Sequence, residues 1–158
     1  MVNMFFIAHR GNMFGPNPEK ENEPNYIMDA IKNGFDVEVD IWFRYNCSVS
    51  NGIFYLGHDR PQYPIDNSFI EEIKTNTWFH CKNLNALNRI SEFENINYFW
   101  HQNDDFTLTS NGYIWTYPGK EVSSKSILIT RNINDIRLKN CAGVCSDYIS
   151  LIYDNIYI

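Results

Sequence analysis

The stretch Phe35-Asp36-Val37-Glu38-Val39-Asp40-Ile41-Trp42 constrains this chain more than any other. Read at period two, it is a strand with Glu38 and Asp40 on one face and Val37, Val39 and Ile41 on the other. Two neighbouring carboxylates in an apolar strand are costly to bury, because uncompensated each loses several kcal/mol of hydration or stays protonated. Either that face meets water, or a metal ion or cationic side chains meet the pair. The neighbouring motifs favour the second reading. His9-Arg10-Gly11 closes the apolar run Met4 to Ala8, and Gly57-His58-Asp59 closes Ile53 to Leu56.

Met4 to Ala8 reads as a strand buried on both faces, as in parallel sheets. It delivers His9 and Arg10 to its C-terminal end, where α/β folds place their sites. A loop rich in Gly, Pro and Asn then leads to a helix from about Pro24 to Lys32. Asn22 or Glu23 stands near its cap, and Asn33-Gly34 ends it. Strand, helix and carboxylate strand make a βαβ unit with a parallel pair. Asn51-Gly52 signals a tight turn, so a hairpin folds His58 back over the mouth that His9 occupies. Two imidazoles flanking two carboxylates suit proton transfer near neutral pH.

In order and spacing, His9-Arg10-Gly11, Glu21-Asn22, a helix ending in Gly34, Glu38-x-Asp40 and His58-Asp59 follow a known pattern. Over about residues 5 to 60 the chain resembles the glycerophosphodiester phosphodiesterase family, within the phosphatidylinositol-phospholipase-C-like phosphodiesterases, as a short divergent member. The resemblance implies a metal-dependent phosphoric diester hydrolase acting on a small glycerophosphodiester-like or sugar-phosphate diester. His9 and His58 would be catalytic, exchanging protons with the nucleophile and the leaving alcohol. Glu38 and Asp40 would hold one divalent cation, while Arg10 and Lys82 clamp phosphate oxygens. The family's next strand carries E-x-K, and here His80 precedes Lys82 at that spacing and on the same face. His80 is therefore the third candidate ligand. Imidazole in place of carboxylate shifts preference towards Mn²⁺ or Zn²⁺ and away from Ca²⁺, with Mg²⁺ also open. Trp115 resembles the pocket tryptophan of the family's late strand, and Gly143 to Asp147 resembles its closing motif. The nucleophile is either water or a neighbouring substrate hydroxyl; the latter makes the protein a phospholipase-like lyase that forms a cyclic phosphate. An alternative from another class is a non-catalytic or repurposed barrel that binds a phosphorylated sugar or glycan.

His101, after the apolar run Ile96 to Trp100, is a further pocket candidate. Later strands are expected at Phe106 to Thr109, Tyr113 to Gly119, Ser126 to Thr130 and Ala142 to Asp147. Short helices are expected at Phe69 to Ile73, Leu84 to Ile90 and near Asn134 to Lys139. The 158 residues fit one domain, 1–158. They fall roughly 100 short of the ~250 that a full eight-fold α/β barrel needs. The expected fold is therefore α/β: a reduced or incomplete TIM-like (β/α) barrel with few helices in its C-terminal half. Its bare wall suggests a homodimer. A net charge of −6 argues against nucleic acid as a partner and leaves a small-molecule phosphodiester as the expected one. Without an apolar run of membrane-spanning length, the protein is expected to be cytoplasmic. Cys47, Cys81, Cys141 and Cys145 are then expected as thiols.

Overall fold

The structure is a computed structural model that describes residues 4–46 and 51–157. Its strands are β1 (Phe5–His9), β2 (Asp36–Tyr45), β3 (Gly52–Leu56), β4 (Tyr63–Ile65), β5 (Thr77–Cys81), β6 (Asn97–Phe99), β7 (Phe106–Leu108), β8 (Ile114–Thr116), β9 (Ser126–Ile129) and β10 (Gly143–Ser146). The helices are α1 (Pro24–Lys32), α2 (Asn67–Ile73), α3 (Leu84–Ile90) and α4 (Ile149–Tyr157), with single-turn 3₁₀ segments at Lys74–Asn76 and Ile136–Asn140. Cys47 and most of the expected turn before Gly52 lie outside the described residues.

β2 organises the sheet because it is long enough to serve three partners. Along one edge it pairs in parallel with β1 through residues 36 to 38, then antiparallel with β3 through residues 41 to 45. Its other edge takes β5 in parallel, from Val37 opposite Thr77 to Ile41 opposite Cys81. From there parallel pairing continues through β5 to β6 and, on the other side, through β1, β10, β9 and β8. β3–β4 and β7–β8 are antiparallel attachments.

The result corrects the expected TIM-like barrel. Among the described residues ten strands form one curled, mixed sheet, a half-barrel carrying four short α-helices. The β/α alternation fails where the chain economises on crossovers. β2, β3 and β4 follow one another as a meander, β7 and β8 as a hairpin, and β8, β9 and β10 with no α-helix between them. Strand–loop–strand connections need far fewer residues than helical crossovers, which is how a short chain can make this many strands.

Two layers hold the sheet. Val37, Val39 and Ile41 are fully buried on its outer face, against Ile27 and Ala30 of α1, Ala86 and Ile90 of α3, and Ile149 and Ile152 of α4. Ile7, Trp78, Phe99, Trp115, Ile127 and Cys145 fill the inner face. There the Phe99 and Trp115 rings stack at 4.5 Å, and Trp78 lies 6.0 Å from Trp115. These contacts join β6 to β8 across the curl, and burying such aromatic surface is what rolls the sheet. α4 extends the chain beyond the last strand read from the sequence, and it docks Tyr153 edge-on against Phe6 and Phe35. Among the described residues no helix is long and apolar enough to cross a membrane, and Cys81, Cys141 and Cys145 are free thiols.

Candidate active site

The ends of the parallel strands converge on a cleft of about 790 Å³. All four histidines of the chain line it, together with Arg10, Lys82 and Arg131, so a chain of net charge −6 gathers cationic side chains at one mouth. His9 is the last residue of β1. Beyond it Arg10 and Gly11 adopt left-handed backbone angles, φ 54° and 87°, which fold the chain back over the rim. A Cβ on Gly11 would come within 2.9 Å of Tyr26 and 3.1 Å of Ile27, so glycine is required there. Arg10 carries the strain of a left-handed non-glycine residue, as functional loops often do.

Glu38 and Asp40 point inward from β2 and are 2% and 0% exposed. Asp40 is held from several sides. Asn22, itself fully buried at φ 64°, donates its amide to Asp40 Oδ2 at 2.9 Å and accepts the Asp40 N–H at 2.9 Å. The helix-start residue of the sequence reading thus clamps the carboxylate strand, while Glu23 is the N-cap and Pro24 the first helical residue. Arg10 Nε lies 3.0 Å from Asp40 Oδ2, and Lys82 Nζ lies 3.6 Å from Oδ1. Burial opposes charge on Asp40, but His80, Arg10 and Lys82 outweigh it and hold its carboxyl well below the usual carboxylate range. Arg10 also donates to Glu21 at 3.1 Å. Much of the guanidinium expected to clamp phosphate is therefore already spent on carboxylates.

His80 faces the pair. Its Nδ1 sits 3.3 Å from Asp40 Oδ1 and 3.5 Å from Glu38 Oε1, and its Nε2 is 3.0 Å from the His101 carbonyl. A carbonyl only accepts, so Nε2 carries the hydrogen and Nδ1 is the nitrogen presented to the carboxylates. Burial disfavours an imidazolium here, yet the Asp40 and Glu38 carboxylates overcome it and raise the His80 pKa to about 9. One ligand atom each from Glu38, Asp40 and His80 lie within 4.8 Å of one another. Glu38 Oε2 and Asp40 Oδ1 are buried without a hydrogen-bond partner. These oxygens face cationic side chains without bonding them, His80 and Lys82 at 3.3 and 3.6 Å from Asp40 Oδ1 and His9 at 3.8 Å from Glu38 Oε2. Two carboxylates beside an oriented imidazole are a donor set that fits a divalent cation.

His9 takes its orientation from a residue outside the sequence-derived set. Asp147, just after β10, accepts from His9 Nδ1 at 2.7 Å, from Asn12 at 3.0 Å and from Arg131 Nε at 3.1 Å. That leaves His9 Nε2 facing the cleft, 3.8 Å from Glu38 Oε2. Burial again works against charge, but the bond to Asp147 and the Glu38 charge raise the His9 pKa. Asp147 moves the opposite way: despite burial, the bond to His9 and the charges of His9 and Arg131 lower its pKa from 3.8 to about 2. A carboxyl with a depressed folded-state pKa contributes stability above its unfolded value and loses it as pH falls towards the folded one. The Asp147 contribution, about 2 kcal/mol from that shift, is therefore expected to vanish between about pH 4 and 2. Urea titrations of wild type and Asp147→Asn across this window should converge by that amount. A gap independent of pH would contradict the assignment.

His58 lines the same cleft from the loop after β3. Its side chain is 41% exposed and its Nδ1 lies 2.7 Å from Asp59. It makes no hydrogen bond or ion pair with His9, Glu38 or Asp40, so the two histidines share the mouth without touching. Gly57 holds this loop in place at φ 145°, where an added Cβ would strike the Arg60 carbonyl. Trp115 is buried at the floor, and His101 stacks on Tyr117 with centroids 5.4 Å apart, its Nε2 donating to the Asp104 carbonyl at 2.7 Å. Every sequence-derived candidate except Asp40 lines the cleft directly, and Asp40 lies beneath it. Asp147, Asn12, Tyr117 and Arg131 are additions. Asp147 and Arg131 follow apolar strands as His9 does, so the rule that found His9 applies to them too.

Comparison with family models, with curated proteins and with solved structures finds no match for this chain.

Proposed function

We propose that this protein is a metal-dependent phosphodiesterase acting on a small-molecule phosphodiester. The observation that carries the reading is the grouping of Glu38, Asp40 and His80, with two buried carboxylate oxygens that make no hydrogen bond, beside a histidine oriented by Asp147. Glu38, Asp40 and His80 would hold one divalent cation, Mn²⁺ or Zn²⁺ suiting the mixed donors best. When bound, such an ion supplies charge neutralisation at a non-bridging phosphate oxygen.

This chain's own residues do the rest. Asp147 fixes the His9 ring so that Nε2 is the atom that gives or takes a proton in the cleft. His58, from the loop after β3, exchanges the second proton, so that nucleophile and leaving alcohol are each served by one imidazole. Lys82 and the free amino group of Arg10 contribute positive charge towards the phosphate. Water and a neighbouring substrate hydroxyl are both admissible nucleophiles, and phosphorus NMR of the product separates hydrolysis from cyclic phosphate formation.

The test is hydrolysis of bis(p-nitrophenyl) phosphate with Mn²⁺, together with calorimetric metal titration. Wild type should bind one equivalent and lose turnover in EDTA, and Glu38→Gln should lose both metal and turnover. Full activity of Glu38→Gln in EDTA would falsify the metal mechanism. The aromatic side of the cleft favours a second reading, a binding protein for a phosphorylated sugar. Protein that is inert towards the diester yet binds glucose 1-phosphate would establish that reading instead.

A further inference from the structure

The strand order turns the site into a ring of functional side chains. From β6 through β5, β2, β1, β10 and β9 to β8, the rim presents His101, then His80 and Lys82, Glu38 and Asp40, His9, Asp147, Arg131 and finally Tyr117. The His101–Tyr117 stack brings its two ends together. The aromatic pair thus closes the ring beside His80, whose Nε2 bonds the His101 carbonyl, and Arg131 follows the strand next to that of Tyr117.

Arg131 differs from the other cations of the cleft. Arg10 and Lys82 both lie against Asp40, whereas Arg131 reaches the site through Asp147 alone. Its Nε donates to Asp147 Oδ2 at 3.1 Å, which fixes the plane of the guanidinium. Both terminal amino groups lack partners among the described residues, and the side chain is 75% exposed. A fixed guanidinium with two free parallel donors is the geometry that takes an oxyanion in bidentate fashion.

Its distance from the metal ligands decides which oxyanion. β9 stands three strands from β2, and neighbouring strands are spaced by roughly 4.8 Å, so a single phosphate cannot bridge the two along the rim. Between them lie the whole imidazole of His9 and the carboxylate of Asp147. The span suits a phosphate at one end, a ring in the middle and a second anion at the other end.

We infer that the cleft recognises a phosphodiester one of whose alcohols is a sugar-like ring bearing a second oxyanion, phosphate or carboxylate. Tyr117 offers its face to the ring and Arg131 holds the anion. Arg131 is then a specificity-determining residue. The inference rests on the phosphodiesterase reading and narrows it from any small diester to a doubly anionic one.

The experiment is calorimetric binding to the Mn²⁺-loaded full chain of three probes: glucose 1-phosphate, glucose 1,6-bisphosphate and glucuronic acid 1-phosphate. One charge-assisted bidentate contact is worth about tenfold or more in affinity. Wild type should therefore bind the bisphosphate or the glucuronate at least about tenfold tighter than glucose 1-phosphate. Whichever gains more identifies phosphate or carboxylate as the second anion. In Arg131→Gln that ratio should fall to near one. A merely structural loss through Asp147 would weaken all three probes together and leave the ratio unchanged, which overturns the inference. Equal affinities in wild type overturn it as well. If wild type binds none of the probes but hydrolyses bis(p-nitrophenyl) phosphate, the second-anion site is wrong and the phosphodiesterase reading stands. If hydrolysis is absent too, both fall.

Discussion

His9→Ala is expected to lower the turnover of bis(p-nitrophenyl) phosphate about a thousandfold, with metal binding and fold retained. Removing a positioned general acid or base typically costs a hundred- to ten-thousand-fold. His9 belongs in the middle of that range because its ring is fixed by a short bond to a buried carboxylate and its free nitrogen faces the cleft. The side chain contributes little to the core, so truncation leaves a solvent-accessible notch. That notch makes the prediction sharper: added imidazole should restore part of the rate to His9→Ala and none to Glu38→Gln. Asp147→Asn should act through His9, shifting the pH profile of turnover and reducing the rate by less than His9→Ala does. His58→Ala should also depress turnover, with a smaller change in the pH profile, since its ring is half exposed and has only Asp59 as partner. If His9→Ala keeps more than a tenth of the wild-type rate, His9 is not the proton carrier.

The site was more legible in the sequence than the fold around it. Alternation along Val37 to Ile41 gave both faces of β2 correctly, because period two is a local property of an extended chain. The same logic placed His9, Lys82 and His101 at strand ends, and the structure gathers them at one mouth. What the sequence concealed is the topology. A parallel strand pair with a helical crossover looks the same locally in a full barrel and in a curled mixed sheet. The difference lies in whether later strands are joined by helices or by bare loops. Tyr63–Ile65 reads as part of a proline-rich connector yet pairs with β3 as an edge strand, where Pro64 needs no donor to a further neighbour. Asn22 shows the limit for polar residues: its sequence context marks a helix start, and only the tertiary fold reveals that it brackets Asp40. Arg131 was missed and Asp147 was read only as the end of a closing motif, although both follow apolar strands as His9 does; their roles emerge only with their partners.

Asp40→Ala should be the most destabilising single change at the site, by about 3 kcal/mol, a large share of the 5–15 kcal/mol typical of a whole domain. Asp40 is fully buried and meets Arg10 Nε, the Asn22 amide, His80 and Lys82 at once. Removing it strands a half-buried guanidinium and leaves the Asn22 amide donor without an acceptor, and both costs are paid in a poorly hydrated place. Glu21 still neutralises one end of Arg10, which keeps the loss towards the lower end of the range for a broken buried ion pair. Taking away both charges should be milder: Arg10→Met with Asp40→Leu no longer strands the guanidinium, and although Glu21 and Lys82 each lose a partner, its urea midpoint should exceed that of Asp40→Ala even though it carries two substitutions. The surplus, roughly 1–2 kcal/mol, reflects the relief of the stranded guanidinium; the coupling of the pair follows when Arg10→Met and Asp40→Leu are also measured singly. Far-ultraviolet circular dichroism in urea reads it directly, in EDTA so that metal affinity does not contribute. A loss below about 1 kcal/mol for Asp40→Ala, or a double variant weaker than the single one, would mean that water enters the Arg10–Asp40 pair freely. A wet pair there would also leave Glu38 hydrated rather than orphaned, and would remove the physical reason for placing a cation between the two carboxylates.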